Sequence, residues 1–488
     1  MKKYKWIALL CVTVLCLSFV FAGCFDPNQG NGDDGDKVIT DKWWEDTGEL
    51  SFNSEGKVKY SNITIKLATV VSGEDKDTFK SIIDDFNREY KGKIAIDSED
   101  IGQANFESTV AQRISSKNKA PDLIMSHQKG HKYFVENKII QPFSKTIMEQ
   151  SNISIDMNDY SAGLSRYSSL GYKDELFSIP CDAQSMVVFY NKNLLKEIGK
   201  ELPTNHAELL DVCKAFVEQK GTSPIAWPAA NQNNHWYNYV FTTAIMQNGG
   251  KLYDENTKKA DWTSEPNKTA MSNAIQSIRD LVDSEGVVKY AQFNDKTSDE
   301  SSQLEFVDNK ALFYVYFPWR ITSLEDLYKT RNNVQDVSEI IGTASIANWF
   351  AMDDTSADAG KIFVDSHFFA MSKLVTDVSK KAAIMEFVKW FTQRTDVCKK
   401  WASTGHITAC KLVGETEEYK NDAYCQRYLN NFYPNIDNLV SMGLTSHYNT
   451  VLSHLKTLGY ETLSNTSADI ESKLASIQRS FNDEIAMN

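Results

Sequence analysis

From residue 60 onward the hydrophobic pattern switches repeatedly between a period of two and a period near 3.6, and few folds accommodate that switching. Ile63, Ile65 and Leu67 alternate with polar residues and run into Val70-Val71, which predicts a strand. Phe79, Ile82, Ile83, Phe86 and Tyr90 then recur at helical spacing. A strand at 93–97, a helix carrying Phe106, Val110 and Ile114, and a strand at 122–125 follow. Strands separated by amphipathic helices predict a mainly parallel α/β sheet covered on both faces. Ligands of such sheets sit beyond the carboxyl ends of the strands, here near Ser72-Gly73 and Ser126-His127.

A second set of elements begins with a short apolar strand at 186–190. Asn205, with Glu208 three residues on, caps a helix whose apolar face is Leu209, Leu210, Cys213, Phe216 and Val217. Further helices are expected over 266–283, 378–393 and 468–485. At about 150 residues per domain, 488 residues predict two or three cores, and two α/β lobes account for the pattern.

The N-terminus gives an address. Lys2, Lys3 and Lys5 precede an apolar run from Trp6 to Phe21 that ends in Ala22-Gly23-Cys24. Those 16 residues are short for a membrane span and suit a secretory signal, so 1–23 reads as a signal peptide. A cysteine after two small residues resembles the lipobox of bacterial lipoproteins, with Phe21 where leucine is usual, which makes Cys24 the lipidation site. Residues 24–60 then hold the body off the membrane, beginning with the Gly/Asn/Asp-rich FDPNQGNGDDGDK. Gly30 to Gly35 matches the dinucleotide pattern by letter. No strand precedes it and two aspartates would repel a pyrophosphate, so it implies no cofactor.

Charge and motifs exclude other classes. With 52 Lys+Arg against 65 Asp+Glu the net charge is −13, which argues against a nucleic-acid partner. No phosphate loop, zincin helix or nucleophile elbow appears. His127 and His131 have the spacing of two zinc ligands, but nothing places a third, so no metal site is expected. Beyond Cys24 the mature chain has five cysteines; one pair among Cys398, Cys410 and Cys425 could bond, and Cys213 falls on a helix's apolar face. Aromatic residues reach 11%, and two tryptophans stand in loop-like contexts: Trp236 in PAANQNNHWYNY and Trp319 in FPWR. Sugars offer apolar C–H faces and hydroxyl edges, so aromatic platforms beside amides and carboxylates suit them. A buried core role is the alternative for each tryptophan.

The segment IPCDAQSMVVFYNKNLLKEIGKELPTNHAELLDVCKAF resembles the hallmark of extracellular solute-binding proteins of ABC transporters, and most closely their carbohydrate-binding group, which includes maltose-binding protein. The resemblance continues through APDLIMSHQKGHKYFVENKIIQPF, ALFYVYFPWR, GKIFVDSHFFAMSK and KKWASTGHITACK, where Thr408 replaces the family's proline. It implies a two-lobed periplasmic-binding-protein-like fold with a ligand cleft and three hinge crossings, near Asp182, Ile346 and Gly405. One lobe would be 61–182 plus 346–400, the other 183–345 plus 405–488. Carried over by position, Trp319 and Trp236 become sugar platforms. Gln184 stands where a hydroxyl-binding Glu is common, Asp182 at a crossing and Asp365 where relatives have Gly-Gly. Asn234 and Arg320 flank the platforms. The implied protein is a lipid-anchored, extracytoplasmic, bacterial monomer that is not an enzyme. It captures a carbohydrate and hands it to a membrane permease. The alternatives are a secreted glycoside hydrolase, which needs two carboxylates about 5–10 Å apart, or a receptor of the same fold for a non-sugar. Mass spectrometry of the native N-terminus is expected to find cleavage after Gly23 and a diacylglyceryl group on Cys24; an intact Met1 would reject this.

Overall fold

The alternation at 63–69 becomes strand β1 (Ile63–Thr69), which buries Ile65 and Leu67 and exposes Thr64 and Lys66. In this computed structural model, residues 37–487 are described apart from 74, 104, 230–231, 233–234, 255, 284–297, 443–444 and 446. The signal segment, Cys24 and the start of the tether lie outside the described residues.

β1 pairs in parallel with β2 (Ile94–Asp100) and β3 (Leu123–His127), in a register that sets Ile65 opposite Ile96 and Leu67 opposite Leu123. Next to β3 runs β12 (His367–Ser372), antiparallel, which also pairs with β4 (Ile140–Gln141) and β5 (Ile179–Pro180). Helix Asp75–Glu89 buries Phe79, Ile82, Ile83 and Phe86 under this sheet, and helix Val378–Gln393 adds Phe387 and Phe391. Burying such side chains stabilises each by about 1.5–3 kcal/mol.

The second sheet departs from the parallel expectation. Its order is β10 (Ile341–Ala344), β7 (Val187–Asn191), β9 (Phe313–Tyr316), β8 (Ile225–Ala226), and only β8–β9 is parallel. Hydrophobic period reports that a strand is half or wholly buried; it carries no information on strand direction.

Two short ladders involve the segments that connect the sheets. β6 (Asp182–Ala183), between β5 and β7 in the chain, pairs with β13 (Ile407–Thr408), and β11 (Ile362–Phe363) pairs with β14 (Leu439–Val440). A single bridge joins Gln184 to Asp365. Residues 346–361 pack beside the second sheet's helices: Gln247 Nε2 donates to the Ile346 carbonyl at 2.9 Å, Asn248 Nδ2 to Phe350 at 2.8 Å, and Trp349 Nε1 to Pro203 at 3.2 Å. Helix Thr395–Ala402 packs on the first, through Lys400 on Asp85 and Trp401 on Phe79.

The apparent loop at 235–247 is helical, as a π-turn at Tyr237–Phe241 followed by helix Thr242–Gln247. Helix Tyr448–Leu463, outside the helices expected above, packs on helix Ile470–Met487. The five cysteines from Cys181 to Cys425 are all buried free thiols, so the suggested pair among Cys398, Cys410 and Cys425 does not form and their odd number needs no partner. Among the described residues no helix is long and apolar enough to cross a membrane.

The turn Ala162–Ser165 docks on β14 so closely that a Cβ on Gly163 would stand 1.9 Å from the Leu439 carbonyl oxygen. Gly163→Ala is therefore expected to lose about 1–3 kcal/mol in urea unfolding, the usual cost of overpacking.

Candidate functional site

A cavity of about 610 Å³ opens where the two sheets face each other across the crossings. Its aromatic wall is built by the end of β9. Phe317 leaves the strand extended, Pro318 opens a 3-10 turn, and Trp319 folds back to stack on Phe317 with ring centroids 4.2 Å apart and planes at 7°. Phe317 meets Tyr239 edge-on at 4.7 Å. The turn is backed by Gly405, whose φ of +92° suits glycine and where a Cβ would come within 2.8 Å of Pro318. Trp319 is half-buried and lines the cavity.

The facing wall comes from the carboxyl end of β3 and from the crossings. His127 Nδ1 lies 3.2 Å from Asp365 Oδ1, and Gln184 joins Asp365 through the backbone bridge. Burial raises the Asp365 carboxyl, but His127, Lys129 and His367 outweigh it and hold the group below the ordinary carboxylate range. His127, Gln184 and Asp365 all line the cavity.

Other expected residues are elsewhere. Trp236 is fully buried, edge-on to Trp227 at 5.2 Å and Tyr237 at 5.0 Å, so it is a core residue; the chain is helical at His235, and Tyr239 lines the cavity instead. Asp182 is fully buried and does not line the cavity. Its Oδ1 accepts from the His367 amide at 2.9 Å, and its Oδ2 accepts from His367 Nδ1 at 2.8 Å and Trp401 Nε1 at 2.7 Å. Burial raises the Asp182 carboxyl, but His367 and His406 overcome it and hold it far below the usual range. Burial lowers His367 while Asp182 raises it, and the net direction is up, so the two form a buried ion pair. Ser126 is buried too, 2.9 Å from His131 Nε2. Ser72 is half-buried after β1 and does not line the cavity. Arg320 lies over the Tyr316 ring at 4.9 Å, behind the wall. Asn234 lies outside the described residues.

Asp182, His367 and His406 offer ligand atoms within 4.8 Å of one another, the grouping among the described residues that comes nearest to a metal site. The Asp182 carboxylate is already committed to three donors, which favours a structural role. His127 and His131 do not act as a pair: His131 Nδ1 is bonded to Ser178 Oγ at 2.8 Å on the far side of its ring.

Sequence reasoning missed Lys129, His235, Asp299, Tyr316, Tyr448 and Lys456, which also line the cavity. Lys129 follows the same strand end that pointed to Ser126 and His127. Tyr448, Leu452 and Lys456 recur every four residues on the helix that had gone unseen.

A family model described as bacterial extracellular solute-binding protein matches residues 81–425, well over half of the chain. The chain belongs to that family. Its members bind solutes outside the cytoplasm; they are binding proteins and not enzymes. The maltotriose-binding protein of Pyrococcus abyssi is 23% identical over 307 residues, which cover 62% of this chain and 57% of that protein. Among solved structures, the sugar-binding protein MalE of Xanthomonas citri matches with a TM-score of 0.69 at 14% identity, covering 87% of this chain and 98% of that one. The cyclic α-maltosyl-1,6-maltose binding protein of Arthrobacter globiformis gives 0.67 at 16%, covering 87% and 100%. These likenesses establish the two-lobed α/β fold.

The buried histidines make stability depend on pH. Burial pushes His131 and His406 down to about 3, so both are neutral in the folded protein at neutral pH. Below about 6.5 the unfolded chain takes up protons that the folded state refuses, so stability falls as pH drops from 7 towards 4. His367, raised by Asp182, has the opposite sign: its contribution is whole below about 6.5 and fades as pH rises through its folded value. Urea unfolding across pH 4–7 is expected to show the acid loss, and His131→Gln to make it shallower; an unchanged slope in the variant would count against the assignment.

Proposed function

We propose that this chain captures a carbohydrate outside the cell, closes around it, and delivers it to an ABC permease in the membrane. The observation that carries this reading is the Trp319–Phe317 stack facing His127, Gln184 and Asp365 across one cavity. An apolar ring face opposite amide, imidazole and carboxylate groups matches the two chemistries of a sugar. The sugar ligands named for the Pyrococcus, Xanthomonas and Arthrobacter proteins support it.

One lobe is then the six-stranded sheet with helices Val378–Gln393 and Thr395–Ala402, the other the four-stranded sheet with 346–361 and helix Tyr448–Leu463. The packing of 346–361 favours a second crossing at 363–366, later than the expected Ile346. A ligand touching both walls stabilises the closed form by its differential affinity for it. The chain acts as a monomer, since a single copy supplies both walls, and Cys24 tethers it to the membrane through lipid.

Calorimetric titration with maltotriose and other oligosaccharides tests the reading, and absence of binding to any saccharide would refute it. Trp319→Ala is expected to cost roughly 1–3 kcal/mol of sugar affinity with little change in unliganded stability. Trp236→Ala is expected to cost about 3–5 kcal/mol of folding stability, the price of a large hole in the core.

A further inference from the structure

The cavity's charged side chains are unequally provided for. Its carboxylates have donors: Tyr316 Oη donates to Asp299, and His127 stands beside Asp365. Its lysines have no acceptors. Among the described residues, neither Lys129 nor Lys456 makes a side-chain hydrogen bond or an ion pair, although carboxylates outnumber Lys+Arg in this chain by 65 to 52. Several lysines elsewhere are answered by carboxylates: Lys399 meets Glu418, Lys400 meets Asp85 and Lys473 meets Glu461.

The two lysines also reach the cavity from different sides. Lys129 follows β3 of the six-stranded sheet, and Lys456 stands on helix Tyr448–Leu463 beside the other. Burial and the charge of Lys129 both lower Lys456, and His235 is lowered by burial and then by Lys456 and Lys129. The Asp365 carboxylate answers part of the Lys129 charge, but no carboxylate among the described residues bonds either ammonium group, and the repulsion between the two grows as water leaves the space between them.

We infer that the captured carbohydrate is acidic, carrying a carboxylate, sulfate or phosphate group that Lys129 and Lys456 grip from opposite sides of the cleft while its ring lies on the Trp319–Phe317 stack. This rests on the carbohydrate reading above. The anion turns a repulsion between the lobes into two attractions, so closure is favoured on a charged sugar and opposed on a neutral one of the same shape. Charge-assisted bonds of this kind are the strong ones in a partly desolvated site.

The test is calorimetric titration of the lipid-free mature chain with oligosaccharides bearing uronate, sulfate-ester or phosphate-ester groups, each beside its neutral parent (for oligogalacturonate, the methyl ester). At least one acidic member is expected to bind about 100-fold or more tighter than its parent, with affinity falling as salt rises. Which class binds identifies the anion. Lys129→Met and Lys456→Met are each expected to weaken the acidic ligand about 10- to 100-fold and to raise the neutral parent's affinity, because each removes the repulsion that opposes closure, with the unliganded melting temperature near wild type. A neutral parent that binds as tightly as its acidic partner, or lysine variants that lose nothing, overturns the inference and leaves the carbohydrate reading standing. Failure of every saccharide, acidic and neutral, overturns both.

Discussion

The Asp182 carboxylate holds the place where the chain first passes between its sheets. Three donors converge on it, from the start of β12 and from helix Thr395–Ala402, so one side chain ties the first connection to the second and to the helix that leads into the third. A charge with no exposure to water survives there because His367 answers it with opposite charge and two hydrogen bonds. Removing one partner of such a pair costs about 3–5 kcal/mol, because the other is left charged and alone. Next to this fixed point, Gln184 and Asp365 reach the cavity from the same two connections. The position of these cavity-lining groups therefore depends on a carboxylate that does not line the cavity.

Much of this architecture was legible in the sequence. The strand at Ile63–Thr69, the helix at Asp75–Glu89 and the helix at Val378–Gln393 follow from periodicity, because one face of each is buried and the other is not. Helix Tyr448–Leu463 carries a stripe at Val451, Leu452, Leu455 and Leu458 that is itself at helical spacing, whereas strand direction in the second sheet has no periodic signature at all. Within the site, Trp319 could be read because Pro318 fixes a turn at a strand end. Trp236 misled because Asn-rich flanks look like a loop, whereas the chain is already helical at His235 and buries the indole. Asp182 was placed at a crossing, but the sequence alone could not distinguish a carboxylate offered to solvent from one surrounded by donors more than 180 residues away.

The helix at Tyr448–Leu463 presents Tyr448, Leu452 and Lys456 to the cavity and buries Val451, Leu455 and Leu458 beneath. Tyr448 and Leu452 are buried and belong to the core as well, whereas Lys456 is half exposed, so the cavity face and the core face of this helix share residues. Substitution at Lys456 can change the chemistry of this wall while the packing of Tyr448 and Leu452 stays constant. A lineage of such proteins could exchange one cargo for another by a few point changes on a single helix, and Lys456 would be among the first positions at which a new preference is written.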